Sequence, residues 1–266
     1  MKKTVLIALT CLLAVLGVYC GWRYYHDVWL PNKLLRDAIE SQKELLRQLK
    51  PNLDQPDGSS SAPNPEDGAG DTRKALAGGW SASLAKLKEF NPEAVGWLTI
   101  PGTTVDYPIV QAKDNELYLT TGFDRQHSDV GCPFMDARCD SGFGGFNSIV
   151  YAHHIDQEMF GDIALYKDSG FMEARPSGVL LAEDGVHDVL FFAYLTTFST
   201  SKVYDTVPQE KADCDSYIDF IFDQAGYTRE LTAEELKSCD SLRLLVLSTC
   251  TYEFENARGV LVGVIR

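Results

Sequence analysis

Residues Leu242–Arg266 read LRLLVLSTCTYEFENARGVLVGVIR and decide the fold class of this chain. The stretch Leu242–Leu247 is an apolar run that gives way to polar residues ending at Cys250. A second apolar run, Ala257–Ile265, follows a short polar and aromatic connector and has Arg258 near its start. Two apolar runs joined in this way predict adjacent antiparallel strands. We therefore expect Cys250 and Arg258 at the same end of a sheet, within side-chain reach of each other.

The chain before this hairpin has the same character from about residue 81 onward, with short apolar runs bounded by turns. These runs predict strands at Ala94–Ile100, Val105–Val110, Gly131–Met135, Ser148–His153, Val179–Ala182 and Val189–Phe198. Helices are predicted at Met159–Tyr166, Asp213–Gln224 and Thr232–Lys237, the last with a capping box between Thr232 and Glu235. Many short strands with few short helices predict a mostly-β barrel or sandwich.

The N-terminal part predicts three further segments. Lys2-Lys3 precedes an apolar run that ends in aromatic residues, so residues 1–25 are expected to be an uncleaved, single-pass membrane anchor with the rest of the chain outside the cytoplasm. A cleaved signal peptide fits less well because small residues do not flank a cleavage site. Residues 26–50 show helical amphipathic spacing, and residues 51–80 are a Pro/Gly/Ser/Asp-rich flexible linker before the main domain at 81–266.

Composition excludes some classes of function. The net charge of −14 argues against a nucleic-acid partner, which would require a basic surface. None of the seven cysteines forms a CxxC pair, so a zinc site or a thioredoxin-type motif is not expected. We predict no metal and no cofactor. Cys132 and Cys139 are close enough in sequence to form a disulfide, and a redox role for them stays open.

Three residues carry the candidate chemistry. Cys250 is a candidate nucleophile, and a cysteine nucleophile needs an imidazole nearby, which His153 supplies at the end of a predicted strand. His154 is its immediate competitor. Arg258 would place a permanent positive charge where acyl transfer develops an oxyanion. Taken singly, each has an ordinary structural explanation: a buried thiol, a strand-end histidine and a surface arginine.

Taken together, these residues resemble the class B sortases, which are membrane-anchored cysteine transpeptidases of Gram-positive bacteria. The resemblance covers roughly Phe90 to Arg266 and is most specific in LSTCTYEFENARGVLVG, Leu247–Gly263. A TLxTC-like signature occupies Val246–Cys250, with Val246 in place of its first Thr. Arg258 follows eight positions after the cysteine. The other stretches that carry it are Asn91–Asp124, GCPFMDARC at Gly131–Cys139, and NSIVYAHHIDQEMFGDIALY at Asn147–Tyr166. Family members have Tyr-Gly before the catalytic histidine, so Tyr151-Ala152 selects His153 over His154.

The resemblance implies an eight-stranded sortase-type β-barrel with a few short helices, and it makes residues 81–266 the catalytic domain. It implies that Cys250 attacks the carbonyl of a Thr in an NPxTx-like, C-terminal sorting signal and forms a thioacyl enzyme. Arg258 would stabilise the oxyanion, and His153 would act as general acid and base. An amine of a peptidoglycan precursor or of a pilin would then accept the protein. By looser analogy, the substrate groove would include Thr197, Tyr204 and Ser248.

Two alternatives remain at the level of sequence. The same three groups would serve a hydrolytic cysteine peptidase, since hydrolysis and transfer differ only in the nucleophile that meets the acyl enzyme. A non-catalytic surface module on a sortase-like fold is the other, although the intact set of Cys250, His153 and Arg258 counts against it.

Overall fold

The structure is a computed structural model that describes residues 2–51, 82–206, 210–229, 231–251 and 253–266. The chain divides into two units, Met1–Leu45 and Leu46–Arg266. The predicted linker at 51–80 lies outside the described residues except for Pro51, so its boundaries stay a prediction.

The N-terminal segment is helical. Helix α1 spans Lys2–Tyr24, a π-helical turn spans Tyr25–Trp29, and α2 spans Leu30–Leu49. Within the part of the chain that the structure describes, no helix combines the length and the apolar character needed to cross a membrane. The single-pass anchor predicted over residues 1–25 is therefore not supported.

The second unit begins in the last turn of α2, where Leu46 and Leu49 are buried. Just beyond it, the Lys50 ammonium forms an ion pair with the Asp106 carboxylate. A further helix, α3, covers residues 82–90 and buries Leu84 and Leu87. The buried leucines of α2 and α3 are thus removed from water. Full burial of one leucine side chain contributes about 1.5–3 kcal/mol to stability.

Eleven strands follow in the described residues, and eight of them close a β-barrel. The barrel order is β11-β10-β4-β3-β2-β1-β7-β8, and β8 pairs with β11 to complete the ring. The short β9 adds to β8, and β5 and β6 form a separate hairpin. The predicted eight-stranded barrel is confirmed. Strand bounds are β1 Ala94–Thr99, β2 Asp106–Val110, β3 Phe134–Met135, β4 Asn147–Tyr151, β5 His154–Ile155, β6 Glu158–Met159, β7 Ser177–Ala182, β8 Gly185–Phe198, β9 Tyr227–Thr228, β10 Leu244–Cys250 and β11 Ala257–Ile265.

The strands near the C-terminus bury both faces, which explains why they are apolar runs rather than alternating ones. Leu245 and Leu247 of β10 belong to one core cluster, together with Leu98 and Phe191. Their neighbours Leu244 and Val246 belong to a second cluster, which is completed by residues of the two helices described next. Alternate side chains of β10 therefore support two cores.

The second cluster is covered by α5, Lys211–Gln224, and α6, Ala233–Lys237. Both helices were predicted, and α6 has the expected capping box between Thr232 and Glu235. The helix predicted at Met159–Tyr166 is present as a 3₁₀ helix that begins two residues later. Met159 ends β6 with a left-handed φ of 47°, and a 3₁₀ helix at Gly161–Lys167 follows, then the short helix α4 at Ser169–Ala174.

Candidate active site

The candidate nucleophile and the candidate oxyanion group are paired across the last hairpin. Cys250 is the final residue of β10 and lies directly opposite Arg258 of β11 in the antiparallel register. Directly opposite residues have their side chains on the same face of a sheet, with Cβ atoms about 4.5–5.5 Å apart. Both residues are partly exposed. The expected pairing of Cys250 and Arg258 at one end of the sheet is therefore present.

His153 reaches the same place from the parallel neighbour of β10. Ser248 pairs with Tyr151 of β4, and Ala152 extends the ladder because its N–H donates to the Ser248 carbonyl oxygen at 3.2 Å. The Thr249 hydroxyl in turn donates to the Ala152 carbonyl oxygen at 3.0 Å. Continuing the pairing of Tyr151 with Ser248 by two residues on each strand brings His153 level with Cys250.

A backbone carbonyl orients the imidazole of His153. Its Nε2 atom lies 2.8 Å from the carbonyl oxygen of Leu119, the last residue of the 3₁₀ turn at Leu117–Leu119. Because a carbonyl oxygen only accepts, Nε2 must carry the proton of this hydrogen bond. In the neutral ring this leaves Nδ1 as the nitrogen available for proton exchange.

Gly131 makes room for this arrangement. Its φ of +65° is left-handed, and an added Cβ would lie 2.5 Å from the Tyr118 carbonyl oxygen and 3.3 Å from Cδ2 of His153. Any side chain at Gly131 would therefore press on the histidine and on the turn that orients it.

The three candidate residues line one cavity of about 390 Å³. Tyr204 and Ser248 line it too, and their hydroxyl oxygens are 2.9 Å apart. Burial raises the pKa of the Tyr204 hydroxyl to about 12, although the Ser248 hydrogen bond and Arg258 oppose the rise. Tyr204 is therefore protonated at neutral pH.

Two other candidates lie elsewhere. Thr197 is buried on β8 directly opposite Arg258, one strand further from Cys250, and it does not line the cavity. His154 belongs to β5, where its Nε2 lies 3.5 Å from the Asp156 carboxylate, and it does not line the cavity either. The structure thus brings together five of the six residues named from the sequence and favours His153 over its neighbour.

The remaining cysteines form no disulfide with one another. Cys132 is buried and Cys139 is partly buried, and burial raises the pKa of both thiols. Among the described residues, no cluster of His, Cys, Asp or Glu is arranged to hold a metal ion.

Several residues that shape the cavity were not predicted as site residues. Two of them, Arg138 and Tyr151, share the fully buried carboxylate of Asp136. A charged pair two residues apart inside the otherwise apolar stretch CPFMDARC was the available signal. The other cavity residues are Asn115, Leu119, Phe134, Ala152, Ser199 and Thr249.

Comparison with known proteins decides the family. No model of a known protein family matches the chain. Sortase B of Listeria monocytogenes is 34% identical over 185 residues, which cover 68% of this chain and 72% of the relative. The chain belongs to the sortase B family. It is a sortase-type cysteine transpeptidase, as the resemblance implied.

Solved structures agree with this assignment. A Staphylococcus aureus sortase B–substrate complex is 25% identical, with a TM-score of 0.64 over 70% of this chain and 85% of that chain. A mutant form of Clostridium perfringens sortase B is also 25% identical, with a TM-score of 0.67 over 84% of this chain and 96% of that chain.

Proposed function

We propose that this sortase cleaves an NPxTx-like, C-terminal sorting signal after its Thr and transfers the protein to an amine. The Cys250 thiolate attacks the Thr carbonyl carbon, and Arg258 stabilises the negative charge that develops on the oxygen. Protonated His153 gives its proton to the leaving amine as the C–N bond breaks, which leaves a thioester on Cys250.

The second half of the reaction restores the enzyme. The acceptor amine attacks the thioester carbonyl and yields its proton to His153. The C–S bond then breaks, a new amide forms, and the Cys250 thiolate returns. Because one amide replaces another, no oxidant, metal or nucleotide is consumed. We propose an amine of a peptidoglycan precursor or of a pilin as the acceptor, which agrees with a cell-envelope enzyme of this family.

One observation carries the proposal: His153, which follows β4, lines one cavity of about 390 Å³ together with Cys250 of β10 and Arg258 of β11. A thiol, an imidazole and a guanidinium are the groups that a cysteine acyl transferase needs. Tyr204 and Ser248 supply polar wall positions for the peptide. For Thr197 the supported role is narrower, as the neighbour of Arg258 rather than as a wall of the groove.

The domain organisation completes the proposal. We propose residues 81–266 as the catalytic domain, 51–80 as a linker and 26–50 as a helical spacer, which contains α2 and most of the preceding π-helical turn.

The test uses the full chain with an NPQTN-type peptide and an oligoglycine acceptor, and reads the products by mass. We expect an amide between the Thr carbonyl and the acceptor, and we expect none with Cys250→Ala. Cys239→Ala is the matched control, because Cys239 is an exposed thiol that does not line the cavity. Cleavage that yields only the free acid at high acceptor concentration would favour the hydrolytic peptidase instead.

A further inference from the structure

A buried carboxylate lies behind the groove. The side chain of Asp136 has no solvent exposure. Its oxygens accept from the Arg138 Nε at 2.9 Å and Nη2 at 2.8 Å, from the Arg138 backbone N–H at 2.9 Å, and from the Tyr151 hydroxyl at 2.9 Å. A buried charge is tolerated only when it is paired and hydrogen-bonded, and here four donors satisfy it. These bonds, against the cost of burial, hold the pKa of Asp136 below its ordinary value.

Arg138 connects the Asp136 carboxylate to the 3₁₀ turn that contains Tyr204. Its Nη2 also donates to the Tyr204 carbonyl oxygen at 2.9 Å, while its side chain, 54% exposed, lines the cavity. Asp136 therefore holds the Arg138 guanidinium by two hydrogen bonds, from Nε and from Nη2. The guanidinium in turn holds the backbone of the 3₁₀ turn at Lys202–Tyr204 through the Tyr204 carbonyl oxygen. A planar fork can do this, whereas an ammonium offers no such fixed geometry.

Tyr204 also contacts β4 and β10, the strands next to His153 and Cys250. Tyr151 lies two residues before His153 on the chain that continues β4, and its ring is 6.0 Å from that of Tyr204. The Tyr204 hydroxyl meets Ser248, which lies two residues before Cys250 on β10. The wall formed by Tyr204 is therefore tied to the strands that present the thiol and the imidazole.

We infer that Asp136 and Arg138 are positioning residues that hold the Tyr204 wall of the groove and thereby set the affinity of the enzyme for its sorting signal. The inference rests on the proposed function for its substrate. Neither residue supplies a group to the thioester chemistry. A wall that contacts the peptide equally before and during reaction contributes uniform binding, so its loss raises KM and leaves kcat nearly unchanged.

The experiment compares Arg138→Ala, Arg138→Lys and Asp136→Asn with wild type. Arg138→Lys keeps a positive charge beside Asp136, so it remains informative where the alanine variant fails to fold. Arg243→Ala is the matched control. Arg243 forms an ion pair with Asp184 at the opposite end of β10 from Cys250 and does not line the cavity.

Two readouts are taken on each protein. The first is amide hydrogen exchange at Tyr204 and Asp205, whose N–H groups close the 3₁₀ turn by bonding to Ser201 and Lys202. The second is KM and kcat for the NPQTN-type peptide. In the folded Arg138 and Asp136 variants we expect at least tenfold faster exchange at these amides, with β10 amides unchanged, and at least a tenfold rise in KM with kcat within threefold. Arg243→Ala should match wild type in both.

Unchanged exchange at Tyr204 and Asp205 in both Arg138 variants would overturn the inference, and so would a fall in kcat as large as the rise in KM. If wild type turns over no peptide, the proposed function fails, and the exchange readout still decides whether Arg138 holds the wall.

Discussion

Cys250 and Arg258 lie directly opposite each other on the β10–β11 ladder, with Thr197 of β8 next in the same row. This register places the two residues opposite each other through the backbone of paired strands and not through a flexible loop. Sites built on strands are more precise than sites built on loops, because neighbouring strands limit backbone movement. In this row Thr197 lies one strand further from Cys250 than Arg258 does.

Removal of the guanidinium should slow the chemical step. We predict that Arg258→Ala lowers kcat by about 10²–10³-fold, which is the usual cost of losing one oxyanion donor. Arg258→Lys should recover only part of this loss, because lysine keeps the charge but not the planar set of donors. Steady-state kinetics with the sorting peptide measure both. A kcat within twofold of wild type for Arg258→Ala would remove Arg258 from the mechanism.

A side chain at Gly131 should damage both stability and activity. Gly131→Ala places a residue in left-handed backbone, at about 1–2 kcal/mol, and directs its Cβ at the Tyr118 carbonyl and the His153 ring. We expect a lower denaturation midpoint and a fall in kcat. The control is Gly226→Ala, where an added Cβ meets nothing within 4 Å. Equal effects at the two glycines would contradict the role of Gly131.

The hydroxyl of Tyr204 should act as a neutral hydrogen-bonding group. Because its pKa is raised to about 12, chiefly by burial, it does not ionise in the working range. We predict that Tyr204→Phe raises KM about 3–10-fold, the value of one hydrogen bond, and leaves the pH dependence of kcat/KM between pH 6 and 10 unshifted. A changed inflection in that range would show that Tyr204 takes part in proton transfer.

Asp136 should make the fold sensitive to acid. Its pKa in the folded chain lies below the unfolded value of about 3.9, because Arg138 and Tyr151 donate to the carboxylate and outweigh its burial. The stability that it contributes is therefore present above about pH 4 and is lost as the pH falls through the folded pKa. We predict that Asp136→Asn lowers the free energy of unfolding at pH 7 by about 1–3 kcal/mol. The same substitution should flatten the loss between pH 5 and pH 2. Parallel stability curves for the two proteins would contradict this.

Features that depend on a local sequence pattern could be predicted from the sequence. The hairpin that pairs Cys250 with Arg258, the helix α5 and the capping box of α6 follow from apolar runs and capping residues. Met159 was misassigned because helical spacing of apolar residues does not reveal a left-handed φ.

Long-range and backbone contacts could not be foreseen. The Leu119 carbonyl that orients His153 is a group that every residue carries, so no sequence signal marks it. The bond between Arg138 and Tyr204 joins residues 66 positions apart, one shortly after β3 and the other in the 3₁₀ turn after β8, so no local pattern reveals it.

The most direct measurement is the intact mass of the protein after brief mixing with a sorting peptide and no acceptor amine. We predict a mass increase equal to the peptide fragment that ends at Thr, located on the peptide that contains Cys250 and removed by hydroxylamine. Cys250→Ala should show neither the adduct nor cleavage. Cleavage of the peptide by Cys250→Ala at the wild-type rate, with no adduct on the wild-type protein, would contradict a thioester mechanism at Cys250.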